Sequence, residues 1–275
     1  MALRSWKRGA LGSTLLITIV LALGSNAARA EGVQGGATTA GTFTPERLAS
    51  LGGTPLALYP NGLSFDVLRN GRVVGSHRTA FRDIGDGLAV SSRMDLSVRL
   101  VGIPLYTFTY ESTADWRDGR LRSLTAVTDD DGEVKRVTAR DADGAFRVEG
   151  PNGVARAGAP LFPTNHWHAG VLTQDRVLNT ITGRLARVTI TPGPVETVGT
   201  GTGPRPARRF DYSGAIQVSA WYDAAGRWVK LRFQRGGSTI EYRCRVCGVE
   251  AGRADRSQAG TAWRTAGIGG EGGPS

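Results

Sequence analysis

Residues 93–119 read RMDLSVRLVGIPLYTFTYESTADWRDG and carry the clearest structural signal in the 275-residue chain. Apolar side chains recur at every second position on both sides of Gly102, with polar side chains between them. The apolar positions are Met94, Leu96, Val98 and Leu100 before the glycine and Tyr106, Phe108 and Tyr110 after it. Because successive side chains of a strand point to opposite faces, the pattern predicts two strands, each with one buried face.

The same alternation extends in both directions from this stretch and is interrupted by turn sequences about every 10 residues. Asn70-Gly71, Asp118-Gly119 and Gly236-Gly237 are typical of tight hairpin turns, because these residues adopt positive φ readily. The last part of the chain, 215–242, predicts a meander of consecutive antiparallel strands. We therefore predict a mostly β fold, a single antiparallel sheet of about 9–12 strands.

One helix is expected. The sequence 163–168 interrupts the strand pattern, and 169–178 is the best helix candidate, with Thr164 or Asn165 available to cap it. An open sheet with one apolar face needs a cover, so we expect this helix and its loop to lie on the sheet.

Residues 1–30 have the organisation of a cleavable signal peptide. Three basic residues precede an apolar stretch at 11–23, and the small-residue pattern Ala28-Arg29-Ala30 follows it. The stretch is shorter than the ~20 residues that span a bilayer, so we expect cleavage before Glu31 rather than a retained anchor. The expected location is periplasmic or secreted, with no integral membrane span after cleavage.

The mature chain divides into three parts by composition. Residues 31–44 predict a flexible leader, 45–247 the antiparallel β domain, and 248–275 a disordered tail rich in Gly, Ala, Arg and Ser. The formal charge of +10 falls to +6 on cleavage, because the signal peptide holds four basic residues and no acidic one. The basic residues are scattered, whereas a nucleic-acid interface needs clustered charge, so no nucleic-acid partner is expected.

Cys244 and Cys247 have the spacing of a redox pair but end a β meander instead of starting a helix after a βαβ unit. In an oxidising compartment such a pair favours a small structural disulfide, with free thiols as the alternative. The stabilisation should be modest, because the closed loop is short.

The sequence His166-Trp167-His168 is the most distinctive polar aromatic cluster. On a strand both histidines would point the same way, whereas on a helix they would diverge. The third histidine, His77, lies far upstream, without the spacing of a zinc site. We identify no catalytic residue, metal or cofactor, and keep His166 and His168 as a candidate polar site.

The segment 215–242, with its WYDAAGRWVKL core, resembles the terminal meander of uncharacterised exported bacterial β-sheet domains, and 163–190 and the hairpins of 64–113 extend the likeness. The fold of those domains resembles the curved half-barrel of LolA-type lipoprotein carriers, in which a helix and loops cover a concave apolar sheet. The resemblance implies a role in binding hydrophobic or envelope ligands, and it transfers no functional residue.

We therefore expect a non-enzymatic binder of a lipid or another apolar or amphiphilic envelope ligand. The expected ligand-binding residues are Leu96, Tyr106, Phe108, Tyr110, Trp167 and Leu231. Two alternatives stay open, namely an envelope hydrolase that uses the His166-Trp167-His168 loop and a protein-interaction scaffold.

The signal peptide gives the first testable prediction. The mature protein should begin at Glu31, because Ala28 and Ala30 supply the small side chains that a signal peptidase accepts. Amino-terminal sequencing of exported material checks this, and exported protein that still contained Leu15 would contradict it.

Overall fold

The computed structural model describes residues 43–51, 55–101 and 103–248. The predicted signal peptide, its cleavage site, most of the leader and nearly all of the tail lie outside these residues. Phe43, near the end of the predicted leader, is buried. In the described part of the chain, no helix is both long and apolar enough to cross a membrane.

Within the described residues, 14 strands form one antiparallel sheet that is not closed into a barrel. The strands are β1 (Leu63–Arg69), β2 (Arg72–Asp83), β3 (Leu88–Leu100), β4 (Ile103–Arg117), β5 (Arg120–Asp130), β6 (Glu133–Ala142), β7 (Ala145–Gly150), β8 (Gly153–Gly158), β9 (Arg176–Leu178), β10 (Leu185–Thr200), β11 (Gly203–Gly214), β12 (Val218–Asp223), β13 (Trp228–Arg235) and β14 (Ser238–Cys247). The predicted mostly β single sheet is confirmed. The strand number exceeds the expected range because short strands such as β9 contain too few residues to show alternation.

The sheet has two arms that meet at its centre. Strands β1 to β8 follow each other outward on one side, and β14 to β9 do so on the other. The arms join where β1 pairs with β14, with Leu63 opposite Cys247 and Arg69 opposite Ile240. The first and last strands of the chain are therefore neighbours.

The predicted turns have the expected backbone. Asn70-Gly71, Asp118-Gly119 and Gly236-Gly237 have positive φ at both residues, and so do the further turns Asp131-Gly132 and Asp143-Gly144. That conformation gives a hairpin turn whose twist matches the flanking strands. The predicted alternation is also present, because Phe108 and Tyr110 are buried while Thr109 is exposed.

The predicted helix at 169–178 is wrong. The structure has a 3₁₀ turn at Ala169–Thr173, after which Arg176–Leu178 forms strand β9. The His168 imidazole caps the turn by accepting from the Gly170 N–H, in place of Thr164 or Asn165. A helix cannot continue, because Val177 pairs with Ala186 of β10. The described helices are α1 (Pro45–Leu51) and α2 (Pro55–Leu58) at the amino-terminal end.

A long connection, residues 159–184, packs between the two arms of the sheet and is called the cover segment here. Buried tyrosine hydroxyls fix it to the sheet. Tyr222 donates to the His166 carbonyl at 2.8 Å, and Tyr110 donates to Asn165 Oδ1 at 3.1 Å. Tyr59 donates to the Trp167 carbonyl at 3.1 Å and accepts from the Trp228 N–H at 2.9 Å. The bonds of Tyr222 and Tyr59 satisfy backbone groups, and the bond of Tyr110 satisfies a side-chain amide, that burial would otherwise leave unpaired.

The outer parts of both arms curl toward the cover segment and toward β14. In one arm, the Gly201 N–H at the β10–β11 turn donates to the Cys244 carbonyl at 2.9 Å. A Cβ atom at position 201 would lie 2.1 Å from the Arg245 carbonyl oxygen, so the approach requires glycine. In the other arm, the Asn152 amide donates to the Thr182 carbonyl at 2.8 Å. The curvature turns one face of the sheet inward.

The cysteine pair lies at the end of β14. The register shifts between Ser64 and Phe65, so β14 contains one extra residue, Arg245, opposite β1. The bulge turns Cys244 and Cys247 to the same buried side, with Cα atoms 6.1 Å apart and the two sulfurs in contact. The pair is thus capable of forming the predicted disulfide.

The tyrosine contacts predict a specific loss of stability. Tyr222→Phe should lower the free energy of unfolding by about 1–3 kcal/mol, because the His166 carbonyl stays buried without its donor. Tyr106→Phe is the matched control, since Tyr106 is half-exposed, and it should cost less than about 1 kcal/mol. Urea unfolding monitored by fluorescence measures both, and equal costs would contradict the assignment.

Candidate functional site

The hairpin turns lie at two ends of the curved sheet. The first end, called the mouth rim here, carries the β1–β2, β3–β4, β5–β6, β7–β8, β11–β12 and β13–β14 turns. The opposite rim carries the β2–β3, β4–β5, β6–β7, β10–β11 and β12–β13 turns, with α1 beside the last of these at Gly226. The cover segment lies between the two rims and leaves part of the space inside the sheet unfilled.

A pocket of about 280 Å³ lies inside the sheet at the mouth rim. Its walls come from both arms and from the cover segment. Most lining side chains are apolar, and they include Val74, Leu96, Val98, Phe108, Ile181, Ile216, Leu231, Phe233 and Ile240. Several of them, such as Leu96 and Phe233, are only partly buried although they pack against the core. The pocket therefore presents apolar surface that the protein itself does not cover.

Four of the six expected ligand-binding residues line this pocket, namely Leu96, Tyr106, Phe108 and Leu231. The two others lie elsewhere. The buried Tyr110 hydroxyl is occupied by Asn165 and Thr180 of the cover segment. Trp167 is 2% exposed and packs edge-on against Trp116, so it belongs to the core.

Two arginines stand at the mouth of the pocket. Arg69 ends β1 and donates to the Ser238 hydroxyl at 2.9 Å. Arg235 ends β13 and forms an ion pair with Asp130 at 3.2 Å. The same carboxylate accepts a hydrogen bond from the Tyr106 hydroxyl at 2.6 Å. An apolar interior with a charged entrance suits an amphiphilic molecule.

The inner wall of the pocket includes His166. Its backbone has φ of 59°, which directs the ring toward Tyr212 and Trp228, with centroids 5.5 Å and 5.6 Å away. Burial and, as a smaller effect, the neighbouring His77 together lower the pKa of His166 to about 3. Its Nδ1 has no hydrogen-bond partner among the described residues. His166 is therefore a buried, neutral side chain in the inner wall of the pocket.

His168 faces a different environment from His166, because the positive φ of His166 breaks the strand geometry that would align them. The His168 ring stacks on Trp116 with centroids 5.4 Å apart. It lines a second pocket, of about 430 Å³, near the opposite rim with Asp83 and Asp118. The predicted polar site is therefore split between two pockets.

The geometry offers no acid–base pair at these histidines. Across the described ranges, neither His166 nor His168 forms a hydrogen bond or ion pair with a carboxylate, and no group of three or more His, Cys, Asp or Glu side chains could hold a metal ion. A histidine general base is normally oriented by such a partner.

The two arginines at the mouth of the pocket are not recognisable as a pair from local sequence patterns. Arg69 directly precedes the Asn70-Gly71 turn and Arg235 directly precedes the Gly236-Gly237 turn. Since β1, β14 and β13 are adjacent, both strand ends lie at the same rim. The turn positions could have revealed this, but only with the β1–β14 pairing known.

The chain was compared with solved structures. A beta-barrel-like protein of domain of unknown function DUF1849 from Brucella abortus matches with a TM-score of 0.51 and 13% identity, over 70% of this chain and 99% of that chain. A DUF1089 family protein from Pseudomonas aeruginosa matches 56% of this chain and 87% of its own at 13% identity, but its TM-score of 0.27 supports no argument. The first likeness concerns the fold alone. No curated protein matches the chain. A family model described as domain of unknown function (DUF6134) matches residues 65–245.

The buried histidines predict acid sensitivity. Burial lowers the pKa of His77 and His168 to about 4 and that of His166 to about 3, whereas an unfolded histidine titrates near about 6.5. Below about pH 6.5 these histidines are protonated in the unfolded chain but stay neutral in the folded domain. Each histidine therefore lowers the free energy of unfolding by up to about 1.4 kcal/mol per pH unit, from about pH 6.5 down to its folded pKa.

Urea unfolding at pH 7 and pH 5.5 measures this loss. The variant His77→Phe should lose less stability on acidification than the parent, because phenylalanine does not titrate and His77 Nδ1 has no partner in the described part of the chain. The difference should be about 1 kcal/mol. An unchanged pH dependence would contradict the assignment of His77.

Proposed function

This chain belongs to the family described as domain of unknown function DUF6134, and we propose that its domain is a non-enzymatic binder of a single-chain amphiphile. The observation that carries the proposal is the mouth-rim pocket, with an apolar interior and the guanidinium groups of Arg69 and Arg235 at its entrance. The resemblance of the sequence to exported bacterial domains, whose fold in turn resembles that of LolA-type carriers, supports the same ligand class. The predicted signal peptide supports a role outside the cytoplasm.

The pocket volume limits the size of the ligand. A cavity of about 150 Å³ takes benzene, and small-molecule sites usually measure about 300–1,000 Å³. At about 280 Å³ the pocket is large enough for one slender apolar chain and too small for a lipid with several. A fatty acid or a similar single-chain molecule is the best match.

The charges at the entrance favour a particular head group. Arg69 and Arg235 supply two positive charges beside one carboxylate, Asp130, which already accepts from Tyr106 and Arg235. A carboxylate head group could form charge-assisted hydrogen bonds there, whereas an ammonium head group would be repelled. The domain should therefore prefer a fatty acid over an alcohol or amine of equal chain length.

A fluorescent undecanoic acid provides the test. The parent protein should bind it saturably, and unlabelled dodecanoate should displace it better than dodecanol or dodecylamine. Leu96→Trp should weaken binding by about tenfold or more, because the half-buried Leu96 side chain faces the pocket and indole would fill the space. Leu185→Trp is the matched control, since Leu185 is also partly buried but does not line the pocket.

Two outcomes would count against this proposal. One is the absence of saturable binding by the parent protein. The other is equal affinity of the Leu96→Trp and Leu185→Trp variants, which would place the bound molecule elsewhere. Far-ultraviolet circular dichroism of both variants establishes that the fold is intact.

A further inference from the structure

The β3–β4 turn differs from the other turns of this sheet in its chemistry. Val101 has φ of 50°, in the left-handed region. The other non-glycine residues with positive φ in the described part of the chain are all polar, namely Asn70, Asp118, Asp131, Asp143 and His166. A β-branched residue is strained in this conformation, which Asn and Asp tolerate. The turn therefore keeps an apolar side chain where a polar one would be more stable.

The apolar side chains of this turn project into solvent. Val101 is 93% exposed, Ile103 65% and Leu105 56%. Val73 and Val134, on the neighbouring strand ends of the same rim, are 59% and 67% exposed. An exposed apolar group of this kind is typical of a surface that docks on another apolar phase or partner.

This exposed group is continuous with the pocket. Val98 and Tyr106 face each other across the base of the β3–β4 hairpin, and both line the pocket. Residues 101–105 extend directly beyond them. Whatever covers the turn therefore also covers the pocket entrance.

The charges around the turn favour an anionic surface. Arg72 and Arg99 are exposed beside it and form no ion pair with a carboxylate among the described residues. The acidic groups of this rim lie on the β5–β6 side, where Asp130 pairs with Arg235 and Glu133 pairs with Lys135. The acidic Asp129 and Asp131 accept hydrogen bonds from the Gly132 and Thr107 N–H groups. The chain carries a formal charge of +10, of which +6 remains after the predicted cleavage of residues 1–30.

We propose that the mouth rim docks on an anionic lipid bilayer, with Val101, Ile103 and Leu105 inserted among the head groups and Arg72 and Arg99 against them. A shallow apolar insertion combined with basic side chains is the usual way in which a protein binds a membrane surface without spanning it. In that orientation the pocket opens onto the bilayer, where single-chain amphiphiles reside. Docking itself rests on the rim and does not require the pocket to be occupied.

Vesicle sedimentation tests the docking. The parent protein should bind vesicles of phosphatidylcholine with about one third phosphatidylglycerol, and more weakly vesicles of phosphatidylcholine alone. The triple variant Val101→Ser, Ile103→Ser, Leu105→Ser should lose about tenfold or more of its vesicle affinity. The matched control is Leu56→Ser, Val195→Ser, which removes exposed apolar side chains that do not belong to the β3–β4 turn or its neighbouring strand ends and should leave affinity unchanged.

The charge contribution is measured separately. Arg72→Gln and Arg99→Gln should each weaken binding to the anionic vesicles by about fivefold and have no effect on neutral vesicles.

The variant Val101→Asn distinguishes docking from a structural role of the turn. Asparagine tolerates positive φ, so the urea midpoint should rise while vesicle affinity falls. A merely structural valine would give no loss of vesicle affinity in a stabilised variant.

Three results would overturn the docking proposal. They are failure of the parent to bind anionic vesicles, full vesicle affinity in the triple variant, and a parent dimer that the triple variant converts to a monomer in light scattering, which would make the rim a subunit interface. The fluorescent undecanoic acid assay is run on the same proteins. A parent protein that binds the fluorescent fatty acid but not the vesicles would contradict the docking proposal alone. A parent protein that binds the vesicles but not the fatty acid would contradict the proposed pocket function alone.

Discussion

Hydrogen bonds from buried tyrosine hydroxyls to the cover segment are the constraint on which the interior depends. An irregular connection inside a protein contains carbonyl and amide groups that no strand partner satisfies, and each unpaired group is costly. Tyr59, Tyr110 and Tyr222 supply partners from one helix-proximal position and from both arms of the sheet. A long aromatic side chain suits this task, because it packs like a core residue and still carries a hydroxyl at its tip.

The pocket follows from where these tyrosines hold the cover segment. Trp167 and the 3₁₀ turn Ala169–Thr173 are drawn toward α1 and the opposite rim, where most of their side chains are buried beside the second pocket. Toward the mouth rim the segment contributes fewer side chains, among them His166 and Ile181. The inward faces of β3 and β13 are therefore only partly covered there, and their alternating apolar side chains form a wall of the pocket.

Local rules predicted much of this molecule. Alternation predicted the inward positions of Leu96, Phe108 and Leu231, and turn chemistry predicted the hairpin at Asn70-Gly71, because both depend on residues close in sequence. The predictions were wrong where contacts between residues distant in the sequence determine the local structure. The segment 169–178 is drawn out of a helix by pairing with β10, and His166 and His168 are separated by a backbone twist held from β12. The arginines at the pocket entrance come together only through the pairing of β1 with β14.

That pairing also shapes how the chain reaches its native state. Residues 63–69 find their partners at 240–247, almost at the other end of the domain. Contacts of such large sequence separation close late, because the entropy of a long loop must be overcome before the contact stabilises anything. Each hairpin of either arm can form as soon as it is synthesised, but the two arms remain unconnected until β14 is available. The interior between the two arms therefore assembles last, after β14 has been synthesised.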